Sequence, residues 1–166
     1  RVTIDGFTIS PVFSGSRTRA AFHILPLSVS TPMEVSQFQN HSKEPMEPEQ
    51  LQFLSSIINY GNNRMARRAV EVLKKMSSKV APREEHYTAA IWACENSDQY
   101  ETAKEVFREM KSMKIDRSIR TYEGMASVAE RVGKYEDTIE YLDNARKEGL
   151  SLSTAIYNSC MWAADS

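Results

Sequence analysis

Cysteine is scarce in this chain. Cys94 and Cys160 are the only two, with no Cys-x-x-Cys pair and no Cys/His spacing, which argues against a zinc site and for reduced thiols in a core. Long apolar runs are also missing, and none approaches the roughly 18 residues of a membrane-spanning helix. No charge of one sign dominates, since the net charge is −1. Catalytic constellations are absent too: no glycine-rich phosphate loop, carboxylate pair or triad can be found. His86 is the only histidine from residue 50 onward, and it falls on a different helical face from Cys94, so a thiol–imidazole pair is not indicated. No metal, cofactor or enzymatic activity is expected.

What the chain does have is a period. Tyr87, Tyr122 and Tyr157 lie 35 residues apart, and each opens an apolar pattern at offsets of three, four and seven. Those residues are Ala90, Ile91 and Cys94, then Met125, Ala126 and Ala129, then Cys160, Met161 and Ala164. The offsets trace one face of a helix. Sixteen residues beyond the first two tyrosines a second stripe begins, with Ala103, Val106, Phe107 and Met110, then Thr138, Tyr141, Leu142 and Ala145. An earlier copy starts at Phe53 and continues through Ser56, Ile57 and Tyr60 to Ala69, Val72, Leu73 and Met76. A period of this length marks stacked helix pairs whose apolar faces are buried against neighbouring units.

Turn-prone residues separate the helices of each pair: Asn62-Asn63, Ser97-Asp98 and Gly133-Lys134. Ala81-Pro82 and Gly149 are expected to close second helices. Lys114 takes the equivalent place in the middle unit, where a left-handed backbone costs a non-glycine residue about 1 kcal/mol, so that turn is expected to close differently. Tyr100 and Tyr135 are expected to staple the helices of their pairs, hydroxyls at the surface. Trp92 is expected to pack between units or to offer a stacking platform.

Glu109 to Ile115 (Glu-Met-Lys-x-x-x-Ile), Gly133 to Thr138, Lys147 to Leu150 and Tyr157-Asn158 resemble pentatricopeptide repeats (PPR), and the resemblance covers about three and a half repeats over residues 50–166. The tetratricopeptide repeat of 34 residues is the nearest alternative, but its Trp, Leu-Gly and late Pro marks are missing. The resemblance implies an all-α, right-handed α-solenoid of helix-turn-helix units (50–83, 84–118, 119–153 and a truncated 154–166). The break inside a fourth unit points to a fragment of a longer protein.

Residues 1–49 form a different regime. The first 36 carry ten Ser or Thr, three Arg and two acids, as in an organellar transit peptide or an ordinary disordered leader. Lys43 to Glu49 reads as an acidic, proline-broken linker whose carboxylates suit a helix start.

The PPR resemblance implies recognition of single-stranded RNA, usually an organellar transcript of mitochondrion or plastid, one base per repeat. By position, the residue after each tyrosine and the closing residue of each repeat would contact a base edge: Leu54, Thr88, Glu123 and Asn158, with Arg83, Ser118 and Ser153. Second-position residues, Leu51, Glu85, Arg120 and Ala155, would pack against the base face. Thr88 with Ser118, and Asn158, have competent hydrogen-bonding groups, whereas Leu54 has none. A phosphate-facing cation late in the first helix is matched only by Arg131, with Asn62 and Asn96 elsewhere. Residues 50–83 carry seven Lys or Arg against one acid, whereas 84–153 carry ten against fifteen. The acidic units should bind phosphate weakly. Arg64, Arg67 and Arg68 crowd a helix start, where the dipole disfavours cations, which suggests either an anionic partner or a solvated basic face. Two functions stand: an RNA-binding repeat protein, and a protein-interaction scaffold whose groove takes a peptide or helix.

Overall fold

The computed structural model describes residues 32–39 and 44–151. Ser153, Asn158, Cys160 and the rest of the fourth unit, with most of the leader, lie outside the described residues. Among the described residues there are seven helices and no strand: α1 (Ser36–Gln39), α2 (Pro48–Asn62), α3 (Ala66–Ser77), α4 (Glu84–Asn96), α5 (Tyr100–Ser112), α6 (Ile119–Arg131) and α7 (Tyr135–Lys147).

Helices α2/α3, α4/α5 and α6/α7 are the three pairs. The stripes read from the sequence face inward. Tyr87, Ala90, Ile91 and Cys94 are fully buried, as are Met125 and Ala129, while Ala103, Val106 and Met110 close the stripe of the partner helix. In the first pair Phe53, Ser56 and Tyr60 are only half-buried. Leu54, Ile58 and Gly61, next to that stripe, take the buried places against α4.

First helices form one row, with α2 on α4 and α4 on α6, whereas in the second row α3 and α5 meet only slightly. Close packing on one side and splay on the other bends the array so that first helices line its concave face. Small residues permit the close row. A Cβ on Gly61 would stand 3.0 Å from the Cβ of Ala93, and one on Gly124 would stand 2.9 Å from Trp92 Nε1. The middle helix α4 is therefore enclosed on nearly every side, from Glu85 to Glu95 with Trp92 alone half-buried.

All three joints inside the pairs use a left-handed residue, Arg64 at φ +57°, Asp98 at +54° and Gly133 at +74°. Lys114 (+55°) repeats the conformation of Gly149 (+78°), so the middle turn closes as its neighbour does and not differently. The peptide N–H of Ile115 donates to Met110 and that of Leu150 to Ala145, both at 3.0 Å, and this bond, repeated in each turn, imposes the strained φ on the lysine of the first. Helix α3 stops at Ser77, before Ala81-Pro82, so proline does not end it directly.

Tyrosine placement departs from expectation. Tyr135, at the start of α7, is 42% exposed. Tyr100 is 5% exposed and reaches into the next unit, its hydroxyl donating to Asp137 at 2.5 Å and lying 3.3 Å from the Tyr141 hydroxyl. It joins two units instead of two helices of one pair. Phe107 completes that junction, edge-on to Tyr122 and to Tyr141 at 5.5 and 5.4 Å, with the Arg117 guanidinium over its ring.

The first two units are pinned by His86, which is fully buried. Its Nδ1 accepts the Arg83 peptide N–H at 3.2 Å, which leaves the proton on Nε2 to be donated to the Gln50 carbonyl at 3.0 Å. Gln50 in turn accepts the Glu47 N–H and donates to the Ala81 carbonyl. Burial holds the imidazole below its ordinary value of 6.5, against the opposing pull of the Gln50 carbonyl and Glu85. The unfolded chain therefore takes up the proton first as pH falls. Stability should be complete above about pH 6.5 and decline below it. The thermal midpoint between pH 7 and 5 checks this, with a shallower dependence expected for His86→Phe.

Candidate nucleic-acid interface

The concave face is built from the first-helix row, α2, α4 and α6. Trp92 follows Tyr87 by five residues, which at 100° per residue turns it away from the Tyr87–Ile91–Cys94 stripe and onto this face. The structure lays it over Gly124 of the next unit, between units as expected. Its indole N–H is buried with no hydrogen-bond partner among the described residues. Arg120, at the start of α6, stands with its guanidinium carbon 6.0 Å from the Trp92 ring and 5.2 Å from the ring of Phe38.

The structure brings Thr88 and Ser118 together around one carboxylate. Glu84 Oε1 accepts from Thr88 at 2.8 Å, from Ser118 at 2.5 Å and from Thr121 at 3.0 Å. Thr88 and Thr121 are also 2.9 Å apart, and both are buried. These hydroxyls hold α4 to the start of α6. Glu123 is half-buried on α6, and burial raises its carboxyl above the ordinary value, with Arg120 opposing. Leu51 is half-buried near the start of α2, whereas Leu54 is fully buried in the core.

Arg131 pairs through Nε with Asp98 Oδ1 at 2.7 Å, across the turn of the preceding unit. Arg64 lies in the α2–α3 turn, two residues before α3, so only Arg67 and Arg68 occupy the first helical turn. All three are exposed, at the edge where the first row meets the second. Burial pushes the Cys94 thiol up to about 12, which keeps it protonated and unreactive. No group of three or more His, Cys, Asp or Glu that could hold a metal ion occurs among the described residues. No helix among them is long and apolar enough to cross a membrane.

Sequence reasoning missed the closest neighbours of this face, residues 32–39. Met33 pairs both of its backbone groups with the Asn62 side chain, at 2.8 and 3.0 Å. Phe38 is 3% exposed.

A family model described as PPR repeat matches residues 85–115, the α4/α5 pair and the turn after it. The helix pairing, the left-handed joints and this match agree. The chain is PPR-like. Among solved structures it is similar to the PPR domain of Arabidopsis thaliana protein-only RNase P 1, in complex with tRNA, with a TM-score of 0.62 and 14% identity. That similarity covers 70% of this chain and 61% of the Arabidopsis one, so this chain spans less than two thirds of that domain. No curated protein matches. The PPR-like array is thus an all-α, right-handed solenoid of helix-turn-helix repeats, as the resemblance implied.

Proposed function

We propose that this PPR-like chain binds single-stranded RNA along its concave face, acting on organellar transcripts in their processing, stability or translation, and carries out no chemistry itself. The observation that carries the reading is the repeat at 85–115, set in a curved row that aligns Arg83, Trp92 and Arg120 on one face. A tRNA lies with the similar Arabidopsis domain, which supports RNA as the ligand class. Splayed bases are commonly stacked on aromatic rings and guanidinium planes, which is the pairing Trp92 and Arg120 offer. Thr88 and Ser118 would have to leave Glu84 before either could meet a base edge. In this reading residues 1–49 are a leader and linker, the array is divided as 50–83, 84–118, 119–153 and 154–166, and Ser153 and Asn158 extend the contacts. The acid-poor, Ser/Thr-rich start supports an organellar address in mitochondrion or plastid.

The test is a titration of the full chain with mixed single-stranded RNA across a salt series. Binding that weakens with salt is expected. Reversing Arg64, Arg67 and Arg68 to Glu should flatten the slope of log K against log salt by about 2, at roughly 0.7 for each lost phosphate contact. An unchanged slope would remove the three arginines from the interface. Absence of binding at low salt would favour the second reading, a protein-interaction scaffold. Its specific support is the peptide segment that already lies on the concave face.

A further inference from the structure

We propose that residues 32–39 are a built-in competitor for the concave face, so that RNA binds only when this segment lifts. The inference rests on the RNA-binding reading above and names the regulation of that same site.

The segment crosses the first-helix row diagonally. Met33 sits at the far end of α2, its methyl 2.9 Å from where a Cβ on Gly61 would be, and the Asn62 amide clamps its N–H and C=O together. Five residues on, Phe38 is buried beneath the Arg120 guanidinium at the start of α6. Arg120 also donates to the Gln37 carbonyl. After the crossing, Arg83 donates to the carbonyls of Glu44 and Pro45, at 3.2 and 3.4 Å.

Three of the residues the segment engages stand at positions that the PPR resemblance assigns to RNA. Arg120 is a second-position residue, Arg83 a closing residue, and Asn62 stands where a phosphate-facing side chain is expected. The substitution is chemically matched. A phenyl ring takes the place of a base beneath a guanidinium plane, and backbone carbonyls take the place of base or phosphate oxygens.

The attachment is suited to release. Met33 and Phe38 are its only buried side chains among the described residues, while Pro32, Glu34, Ser36 and Gln37 are exposed. A short tether keeps its effective concentration high, on the order of millimolar, so a weak intrinsic affinity suffices to compete.

Phe38→Ala in the full chain should bind single-stranded RNA about tenfold more tightly than the wild type, because the apparent affinity is reduced by the fraction of open molecules. Met33→Ser, at the other end, should act in the same direction with helicity unchanged. Saturating RNA should also speed amide hydrogen exchange within 32–39 of the wild-type chain. Equal affinities for all three proteins, or weaker binding by the variants, would overturn the competitor role while RNA recognition stood. If none of the three bound RNA, the RNA reading would fall and the competitor with it.

Discussion

Tyr87→Ala should lower the unfolding free energy by about 3–5 kcal/mol, the range for removing a large aromatic from a packed core. Tyr87 is fully buried where α4 meets α5, and its hydroxyl donates to Glu109 at 3.4 Å. Its helix is enclosed by α2, α3, α5 and α6, so no single neighbour can move in to fill the space without losing contacts elsewhere. Tyr87→Phe should cost about 1 kcal/mol, since only the hydroxyl is lost. Urea denaturation of both variants checks the difference. A loss below about 1 kcal/mol for alanine would mean that α4 is not the keystone of the array.

Glu84→Ala should cost about 2–4 kcal/mol, because hydrogen bonds to a charged acceptor contribute about 1.5–3 kcal/mol and buried hydroxyls are left without it. Thr88 and Thr121 can turn to each other across 2.9 Å, which limits the loss. Ser118 has only the more distant Thr121 hydroxyl, at 3.5 Å, to turn to among the described residues. Glu84→Gln keeps an acceptor oxygen and should cost about half as much. The variant also separates two roles of the same residues. If Thr88 and Ser118 read a base, freeing them should strengthen RNA binding even as the protein loses stability; if they only hold α4 to α6, binding should not improve. Chemical denaturation and an RNA titration on the same protein measure both.

Much of the fold was legible because helix pairs are local. Tyr87 predicts Ala90, Ile91 and Cys94 from periodicity alone, and the stripe is buried as that spacing requires. What escaped was non-local or conformational. At Lys114 side-chain identity sets the cost of a left-handed turn, whereas the hydrogen bond from Ile115 to Met110 decides that it forms. Tyr100 was assigned to its own pair, but the partner that receives its hydroxyl is 37 residues away. Arg120 and Gln37 are separated by 83 residues, and a four-residue helix has no period to announce its docking. Glu84 resembles any acidic helix start, favourable to the dipole; only the arrival of Ser118 and Thr121 from the next unit turns it into a junction.

The unequal packing of the two helix rows has a mechanical consequence. Gly61, Ala93 and Gly124 set the first row nearly at backbone contact, where compression is resisted steeply and little slack remains. The second row is spanned by longer links, such as Tyr100 to Asp137. Under load the array should behave like a hinge strip, inextensible along its inner edge and elastic along its outer one. Bending then alters the depth of the trough while the rise from one unit to the next stays fixed, so a polymer lying in it would feel a constant pitch at every curvature.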